Sequence, residues 1–496
     1  MYIKKIKINN FRNFKNFEME FQDGLNVIIG GNNAGKTNLL RAIELIEKLD
    51  VRIDDFNKND LLDNFQRYKT EAPKIEIEYQ IFHEINEDDP TDESILKLIP
   101  FLGMDKIIEQ KDSPENSSKY SINANIVMRY SIEAKNISKY IAIIKNADTL
   151  EKYLTALDDA LKRYYIWEFT NEANTENVDK TAVRDIFKID FIEAERSVNA
   201  VYEETQKEIK AHLKSDENVS AIQLMKKEIS ESIRTNIETV LLKIDKIVAE
   251  EKNEIGLKNG NVAISQNIRP NASITESYFI DVKDTKKDFI VPLSHNGVGY
   301  NNLINMYMLL KLIEMRKEKD YRILCLEEPE AHLHPAMQYK LFSYLKRIND
   351  ENKLNQQIFV STHSSNITAV AGFNNMFVID YNRESHSVVS RDLKEQFKTA
   401  PDAKKHLMKF LDVTRSDMLF ASRVVLVEGI AEKLLLPKFM EKLNCSYENE
   451  HISIIEIGGK HFDHFLKYFA NNPINSKVLL KFRSSFSASK PVFIWC

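Results

Sequence analysis

The amino-acid sequence predicts an α/β protein of two domains, and three observations carry that prediction. A buried strand, a glycine-rich loop and a helix follow one another in LNVIIGGNNAGKTNLLRAI. Two further apolar strands, in YRILCLEEPE and QQIFVSTHSS, end in polar residues, as buried parallel strands do when their carboxyl ends line a site. A fresh strand, turn and helix begin in SRVVLVEGIAEKLLLPKFM, and 496 residues exceed one ordinary domain.

The composition is that of a soluble globular protein without a global positive field. Charged residues make up 29% of the chain, hydrophobic residues 43%, and the formal net charge is -5. Any contact with DNA must therefore be local. Cys325, Cys445 and Cys496 show no metal-ligand or disulfide spacing, and no stretch is typical of a signal peptide or a membrane span. We therefore expect a cytoplasmic protein without membrane contact.

The first elements surround the glycine-rich loop. YIKKIKINNFRNF indicates one strand and LNVII the next, with FQDG as the turn between them. The apolar residues of KTNLLRAIELIEKL lie at helical spacing. KIEIEYQIF, residues 74–82, alternates like a strand, whereas residues 84–120 are polar and predict a loop.

Later elements predict a head interrupted by an insertion. Helical spacing runs from residue 138 to 170 and from 197 to 253, with the strand KIDFIEAERSV between the two blocks. The second block shows no chemistry and is interpreted as a solvated helical insertion that packs on a partner chain. NMFVIDYNRESHSVVSRDL predicts a closing hairpin, a helical linker follows through Leu411, and HISIIEIGG predicts a strand of the second domain. The predicted boundaries are 1–196 and 262–385 for the head, 197–261 for the insertion, 386–415 for the linker and 416–496 for the second domain.

The glycine-rich loop matches the phosphate-binding pattern G-x-x-x-x-G-K-[ST] through Gly30, Gly35, Lys36 and Thr37. Glycines let backbone N–H groups turn inward around a phosphate, the lysine neutralises phosphate oxygens, and the hydroxyl can hold Mg²⁺. We predict that this loop binds a nucleotide, with Asn32, Asn33 and Asn38 also in contact. A glycine turn with an exposed lysine is the alternative.

Acidic and imidazole groups follow the two later strands. Glu327 and Glu328 end the first strand, where one acid can assist Mg²⁺ and the other can polarise an attacking water. His363 ends the next strand, where an imidazole could reach a γ-phosphate, although a lone histidine is more often a loop residue. In LSHNGVG, Ser294 and Gly297 precede an apolar helix and form either a second anion site or a plain turn.

The second domain opens with a pair of carboxylates. The apolar run VVLV delivers Glu428 to a glycine turn, and Glu432 follows at the start of a helix. Two carboxylates one helical turn apart can hold a divalent cation. Acids that favour the helix dipole are the alternative interpretation.

The ordered set NNFRNF, GGNNAGKTN, LSHNGVG, LCLEEPEAHLHP and STHSS resembles the ABC-type ATPase heads of RecF, SMC and OLD (overcoming lysogenization defect) proteins. The resemblance implies an ATP site closed by a second head, with Lys36 and Thr37 as Walker A and Glu327 and Glu328 as Walker B. It makes His363 the switch histidine and the Ser294 loop the signature. Glu327 stands where most heads carry Asp, and His334 where the D-loop usually has Asp, which puts the rate of turnover in doubt.

LVEGIAE after a hydrophobic strand is similar to the opening of a Toprim domain, which follows such a head in OLD proteins. The resemblance implies an OLD-family, Gabija-like protein: an ATP-regulated, metal-dependent DNA endonuclease of anti-phage defence. It implies ATP, Mg²⁺ or Mn²⁺, DNA, a homodimer or higher homo-oligomer, and a helicase encoded alongside. The alternative is a RecF/SMC-like ATPase that clamps or senses DNA or a partner without cutting it.

One departure concerns the end of the chain. A Toprim nuclease needs a further strand ending in a D-x-D pair, because two-metal cleavage requires carboxylates on both sides of the phosphate. After NSKVLL the chain reads KFRSSFSASKPVFIWC, with no Asp or Glu from His464 to Cys496. We therefore expect a Toprim domain that is truncated or altered after about residue 480, with cleavage lost if the second half of the site is missing.

Overall fold

The computed structural model describes the chain in segments. The described residues are 1–85, 97–102, 107–110, 119–171, 178–184, 186, 188–193, 262–268, 278–284, 289–292, 299, 301, 303, 304, 306–308, 310, 322–351, 356–382, 386–410, 415–421, 423–444, 452–458, 462–469 and 481–482. The helical insertion predicted at 197–261 lies outside them. Within the described residues, no helix has the length and hydrophobicity that crossing a membrane requires.

Eighteen strands occur among the described residues. They are β1 (Tyr2–Phe11), β2 (Phe14–Glu20), β3 (Leu25–Ile29), β4 (Ile75–Ile85), β5 (Ile107–Gln110), β6 (Lys119–Ile132), β7 (Tyr165–Thr170), β8 (Lys188–Ile192), β9 (Val262–Ile268), β10 (Tyr278–Asp284), β11 (Phe289–Pro292), β12 (Arg322–Glu327), β13 (Gln356–Ser361), β14 (Met376–Asn382), β15 (Ser387–Asp392), β16 (Arg423–Val427), β17 (Ile452–Glu456) and β18 (Lys481–Phe482).

Helices connect these strands. They are α1 (Lys36–Lys48), α2 (Lys58–Asp63), α3 (Ile137–Ile144), α4 (Leu150–Tyr164), α5 (Lys180–Arg184), α6 (Pro335–Asp350), α7 (Ser365–Ala371), α8 (Leu393–Gln396), α9 (Pro401–Phe410), α10 (Ile430–Lys442) and α11 (Phe462–Phe469). The described residues between 299 and 310 are helical as well. A short 3-10 helix, Ser416–Leu419, leads into β16.

An antiparallel sheet begins the fold, in the order β2-β1-β4-β6-β5, with β7 also paired to β6. The prediction of one strand over residues 2–14 is wrong, because the chain reverses at Arg12, whose φ is 50, and Phe11 pairs with Phe14. FQDG therefore joins β2, not β1, to β3. The alternating residues Ile6, Ile8 and Tyr79 face the core from this sheet.

A mostly parallel sheet follows, in the order β15-β14-β3-β13-β12-β8. The predicted parallel neighbours β12 and β13 are confirmed, with Leu326 opposite Val360, and β3 pairs with the other edge of β13. The predicted closing hairpin is confirmed as the antiparallel pair β14 and β15. Because β3, β12 and β13 run in one direction, the loops after all three open at the same edge.

Two predictions between the sheets were wrong in part. Residues 84–120 include β5 and the start of β6, which pair with each other. The helical block from 138 to 170 holds α3 and α4 but ends in β7, whose sequence YIWEFT pairs with β6. In both cases cross-strand hydrogen bonds to distant residues decide the element, and local composition does not contain them.

A small sheet in the C-terminal region has the order β17-β16-β18. β16 and β17 are parallel, as the repeated strand–turn–helix pattern indicates, with Val427 opposite Glu456. β18 lies parallel on the other side of β16, with Lys481 opposite Leu426 and Phe482 opposite Val427. The residues after 482, where the sequence predicts an altered end, lie outside the described part.

The chain divides into two compact units. One comprises Met1–Ile192, Lys319–Glu328 and Asn355–Cys496, and the other comprises Glu193–Glu318 and Pro329–Leu354. The second unit holds the antiparallel sheet β11-β10-β9 and α6. The domain boundaries predicted from the sequence stay a prediction.

One buried side chain fastens the antiparallel sheet to the parallel one. Gln357, in β13, is fully buried and accepts a hydrogen bond from the Ile3 N–H at 2.9 Å. Its amide nitrogen donates to the Ile3 carbonyl at 2.9 Å and to the Gln22 carbonyl at 3.0 Å. A single buried glutamine therefore hydrogen-bonds backbone groups of two separate segments, at Ile3 and at Gln22.

We predict that Gln357→Leu lowers the free energy of unfolding by about 2 kcal/mol or more, because it removes the buried hydrogen bonds that Gln357 makes to Ile3 and Gln22. The control is Ser390→Ala, which removes an exposed hydrogen bond of 3.0 Å to the Glu18 carbonyl. Urea denaturation followed by tryptophan fluorescence measures both. Equal losses in the two variants would contradict this role for Gln357.

Candidate functional site

The loop between β3 and α1 has a backbone that only glycine allows at its two ends. Gly30 has a φ of 156, and a Cβ there would lie 2.0 Å from the Ile379 carbonyl oxygen of β14. Gly35 has a φ of 110, and a Cβ there would lie 2.6 Å from the Asn13 side chain. The packing of the loop, as well as its curvature, therefore requires both glycines of the predicted pattern.

Lys36 folds back over this loop. Its side chain is buried, and Nζ donates to the Gly30 carbonyl at 3.1 Å and to the Gly31 carbonyl at 3.0 Å. The ammonium is thus held inside the curve of the loop, beside the N-terminus of α1. A lysine charge and the unpaired N–H groups of a helix N-terminus both attract anions.

Thr37 and Glu327 lie in direct contact, although 290 positions separate them in the chain. The Thr37 hydroxyl donates to Glu327 Oε1 at 2.6 Å. Hydroxyl and carboxylate oxygens are ligands that hard divalent cations prefer. The structure therefore brings together the two residues predicted to share a metal ion at the nucleotide, and their donor atoms fit one.

Glu328 and His363 form a second contact at the same edge of the sheet. His363 Nε2 lies 3.4 Å from Glu328 Oε1. Glu328 has a φ of 41, an uncommon value for a residue with a side chain, and its N–H donates to the Ser361 carbonyl at 2.9 Å. That hydrogen bond to β13 holds the strained turn and aims the carboxylate at the imidazole.

The imidazole of His363 is neutral at physiological pH. Burial, and next the positive charge of Lys36, lower its pKa to about 4. A neutral ring carries one N–H donor and one acceptor nitrogen, so it can donate a hydrogen bond without adding a charge.

These residues line a cavity of about 590 Å³. Its walls are polar, and they comprise Asn13, Asn32, Asn33, Gly35, Lys36, Thr37, Asn38, Glu328 and His363. The size lies within the range of small-molecule sites in proteins. Apart from Asn13, every lining residue was predicted from the sequence.

Asn13 is the residue that the sequence analysis missed. Its Nδ2 donates to the Ala34 carbonyl at 3.3 Å, and its Oδ1 accepts from Asn38 Nδ2 at 2.8 Å. Arg12 supports the pair by donating to Asn38 Oδ1 at 3.0 Å and to Asp55 Oδ1 at 2.8 Å. NNFRNF was noted as part of the resemblance, but interpreting it as a continuous strand concealed the turn that aims Asn13 at the loop.

The predicted signature residues Ser294 and Gly297 lie outside the described residues. Nearby Gly299 is described, and a Cβ there would lie 2.4 Å from the His332 carbonyl oxygen. Only glycine therefore fits where these two segments of the second compact unit approach each other. His334 accepts a hydrogen bond from the Ala336 N–H at 3.3 Å and so caps α6.

The two carboxylates of the second domain lie four positions apart in the chain, on either side of the turn at Gly429. Glu428 follows the buried strand β16, and Glu432 lies in the first turn of α10. A Cβ added to Gly429 would lie 3.4 Å from Glu432 Oε2, so that carboxylate folds back toward the turn that holds Glu428. Oxygen donors of this kind fit a divalent cation, although no cluster of three or more His, Cys, Asp or Glu occurs among the described residues.

A short segment connects the turn after His363 to the small sheet. Asp417 Oδ1 accepts from Ser365 Oγ at 2.9 Å, and Ser416 Oγ donates to the Ser365 carbonyl at 3.2 Å. Arg415 Nε donates to the carbonyl of Glu456, the last residue of β17, at 2.9 Å. Residues 415–417 therefore contact both α7, which begins two residues after His363, and the end of β17.

Phe420 extends this contact to the glycine-rich loop. Its ring centroid lies 6.2 Å from that of His363. Its carbonyl oxygen lies 3.8 Å from the position of a Cβ on Gly31. Residues 415–420 therefore lie between the candidate nucleotide site and the strand that leads to Glu428, and they contact the nucleotide site directly.

Comparison with known families agrees with this division of the chain. The sequence model of the AAA ATPase domain family matches residues 1–368. The TOPRIM domain of Overcoming lysogenization defect protein-like proteins matches residues 419–480. The first match contains the whole glycine-rich loop site, and the second contains Glu428 and Glu432 and ends just before β18.

Individual proteins match the chain over different lengths. The chain is 25% identical over 474 residues to the endonuclease GajA of Bacillus cereus strain VD045, covering 94% of this chain and 72% of that protein. It is 28% identical over 180 residues to the OLD nuclease of Thermus scotoductus, covering 35% and 33% respectively. A stretch of 68 residues is 41% identical to the DNA replication and repair protein RecF of Streptococcus uberis, covering 12% and 19%. The resemblance to OLD-type proteins is confirmed.

We predict that Glu328→Gln retains ATP binding but slows hydrolysis by about 10²–10⁴-fold, because an amide cannot accept a proton from water. Lys36→Ala should instead weaken ATP binding at least about tenfold, since it removes the charge inside the loop. Titration calorimetry and phosphate release separate the two effects. The control is Lys48→Ala at the other end of α1, where the lysine pairs with Glu44.

An affinity for ATP that does not change in Lys36→Ala would refute the assignment of the loop. A rate of hydrolysis that does not change in Glu328→Gln would refute the role of that carboxylate alone.

Proposed function

We propose that this chain, which belongs to the AAA ATPase domain family and carries an OLD-like TOPRIM domain, is an ATP-regulated DNA endonuclease of anti-phage defence. The observation that carries the ATPase part is the contact of Thr37 with Glu327 at 2.6 Å beside the buried Lys36. The nuclease part is supported by the TOPRIM match and by relatives that are themselves an endonuclease and a nuclease. Together, the ATPase and TOPRIM matches imply that the protein uses a nucleotide and a divalent metal.

In the proposed ATP site, each residue acts through the position that the fold gives it. Lys36 neutralises the β- and γ-phosphate oxygens, and the backbone N–H groups of the loop surround them. Thr37 and Glu327 hold Mg²⁺, the cation we expect with ATP. The metal ion would neutralise charge that develops on the phosphates during hydrolysis.

Glu328 and His363 act on the γ-phosphate side. Glu328 orients and polarises the attacking water, because its carboxylate is held at the edge of the cavity by the hydrogen bond from its N–H to Ser361. His363 donates a hydrogen bond to a γ-phosphate oxygen. Because the ring is neutral, loss of that phosphate breaks one hydrogen bond and leaves no buried imidazolium behind.

In the proposed TOPRIM site, Glu428 and Glu432 hold Mg²⁺ or Mn²⁺ at the end of β16. A metal ion held there would activate water and stabilise charge on the scissile phosphate. The neighbouring strand β18 places Lys481 and Phe482 beside the end of β16, so its described residues add no carboxylate. The two glutamates form one half of a two-metal site, and cleavage by this chain is therefore the decisive measurement.

Partners follow from the same proposals. An ATPase head of this type needs a signature loop from a second head, so we propose a homodimer or higher homo-oligomer that acts on DNA in the cytoplasm. The RecF-like stretch and the nuclease relatives support DNA as the substrate. A helicase encoded alongside stays a prediction.

The short segment 415–420 gives the proposed regulation a physical route. A change at His363 reaches Ser365 at the start of α7, and Ser365 is hydrogen-bonded to Asp417 at 2.9 Å. Asp417 lies in the 3-10 helix that leads into β16 and Glu428. Nucleotide binding can therefore shift the metal-binding glutamates through the two hydrogen bonds between Ser365 and residues 416–417 and through the few residues that separate these from Glu428.

A RecF/SMC-like clamp is the second candidate, and the absence of carboxylates in β18 favours it. Such a protein would bind ATP and DNA without cutting. The similarity to RecF covers only 12% of the chain, whereas the endonuclease relative covers 94%. The clamp is therefore the less supported reading.

We predict that the parent protein nicks supercoiled plasmid in Mg²⁺ or Mn²⁺ and that Glu428→Ala reduces nicking to the level seen in EDTA, because the variant loses a metal ligand. Gel electrophoresis measures the relaxed form. The control is Glu441→Ala, an exposed residue of α10 that pairs with Lys438 at 3.1 Å. A parent protein that binds plasmid and hydrolyses ATP without nicking would support the clamp instead.

We predict that Asp417→Ala weakens the coupling of the two sites, because it removes the acceptor of the Ser365 hydroxyl while the hydrogen bond from Ser416 to the Ser365 carbonyl stays. A non-hydrolysable ATP analogue should change hydrogen exchange of Arg423–Val427 in the parent protein and change it less in the variant. ATP hydrolysis should stay within about twofold of the parent, since Asp417 does not line the cavity. Asp402→Ala on α9 is the control, and an identical exchange response in Asp417→Ala would exclude this route.

A further inference from the structure

Helix α9 presents a basic surface in a protein whose net charge is negative. Residues 393–410 contain five lysines and two acidic residues, a formal charge of +3, whereas the whole chain carries -5. Lys405 and Lys409 are exposed on α9, and Lys404 beside them is half-buried. These three lysines are called the α9 basic face below.

The α9 basic face lacks the pairing that other helical lysines have. On α4, Lys152 pairs with Asp148 at 2.7 Å and Lys162 pairs with Asp158 at 2.6 Å. Neither Lys405 nor Lys409 makes an ion pair with any residue that the structure describes, although Asp402 lies three positions before Lys405. The two lysines lie one helical turn apart, and like charges at that spacing destabilise a helix.

A third lysine adds to the repulsion. Burial, and next the charge of Lys394, lower the pKa of Lys404, against the opposing influence of Asp392 and Glu395. The Lys404 ammonium also donates to the Asn374 side chain, which holds it at the surface of the head. Lys404 is therefore tied to the head by Asn374 and adds a third positive charge beside Lys405 and Lys409.

The basic face is fixed to the TOPRIM domain. α9 packs against α11, and the rings of His406 and His464 stack with centroids 4.4 Å apart and planes at 28°. On the same helix, Phe410 lies 4.5 Å from His406 between ring centroids. The buried side of α9 is thus occupied by contacts with the fold, and the lysines lie on what remains of its surface.

We propose that the α9 basic face binds phosphates of duplex DNA and holds the duplex next to the TOPRIM domain. Lys405 and Lys409 are separated by about 6 Å along the helix axis, at a rise of about 1.5 Å per residue. Each strand of DNA carries a phosphate about every 3.4 Å along its axis, so both lysines reach neighbouring phosphates. Bound phosphates replace the repulsion between the lysines by attraction.

Charge complementarity favours nucleic acid over a membrane surface. A helix that lies on a bilayer needs an apolar face directed at the lipid. Ala403 and Leu407 of α9 are instead buried in the fold, and Met408, which is exposed, does not by itself make such a face. The choice of duplex DNA as the polyanion rests on the proposed function.

The test compares Lys405→Gln/Lys409→Gln with a matched control, Lys152→Gln/Lys162→Gln, which removes the same charge from α4. Binding of a fluorescent DNA duplex to the full chain is measured by anisotropy in EDTA, which prevents cleavage, between about 50 and 200 mM salt. Each lost phosphate contact lowers the slope of log affinity against log salt by about 1. We expect the magnitude of this slope to fall by about 2 in the α9 variant, by the same amount on two unrelated DNA sequences. The slope of the control should equal that of the parent protein.

Circular dichroism and ATP binding like those of the parent establish that the variant is folded. A variant with the parent's slope and affinity overturns the proposal and leaves this surface to an acidic protein partner. An equal loss in the α4 control also overturns it, since general charge would then explain the effect. A parent protein without salt-dependent duplex binding would overturn both this proposal and DNA as the substrate, whereas duplex binding with an unaltered slope in the variant refutes the basic face alone.

Discussion

The hydrogen bond between the Thr37 hydroxyl and the Glu327 carboxylate depends on the parallel pairing of three strands. β13 lies between β3 and β12, so the chain leaves all three strands at the same edge of the sheet. α1 therefore begins beside the end of β12, and the loop after β13 delivers His363 to the same place. If the register of any of these strands slipped by one residue, side chains that now face the cavity would face the core. The apolar interior of the sheet prevents that slip, and so the core stabilises the geometry of the polar site.

Electrostatics at this edge follow from burial. Lys36 is buried in the curve of the loop, where its ammonium donates hydrogen bonds to the Gly30 and Gly31 carbonyl oxygens. The same charge, together with burial, keeps the nearby His363 neutral. A site with one fixed cation, a neutral donor and the carboxylates Glu327 and Glu328 is suited to a phosphate anion accompanied by a divalent cation. Without the phosphate, the charges of Lys36 and of a divalent cation are no longer balanced by an anion. Loss of the phosphate therefore changes the electrostatics of the site, and the residues packed against it can respond to that change.

The C-terminal region repeats the same arrangement on a smaller scale. β16 lies between two parallel neighbours, and Glu428 follows at the carboxyl end of the strand. The segment before β16 is hydrogen-bonded to Ser365, so the strand that carries Glu428 is linked directly to the helix that follows His363. α9 packs on this region and carries exposed lysines. The repulsion between Lys405 and Lys409 destabilises the helix, and a bound polyanion would offset that repulsion. Binding, sensing and metal chemistry would then share one continuous part of the first compact unit.

The sequence by itself determined the family of the chain, the strand–loop–helix around Lys36, the parallel strands that carry Glu327, Glu328 and His363, and the strand before Glu428. These features are local: hydrophobic runs of strand length, glycines at fixed spacing and acids at strand ends. Only the tertiary structure decided the reversal at Arg12, the strands β5 and β7, and the entry of Asn13 into the cavity, because cross-strand hydrogen bonds between distant residues create them. The contacts of Asp417 with Ser365 and of Gln357 with Ile3 belong to the same class. A pattern of residue types indicates which segments tend to form helices, strands or turns. These contacts depend instead on which surfaces the packed sheets bring together.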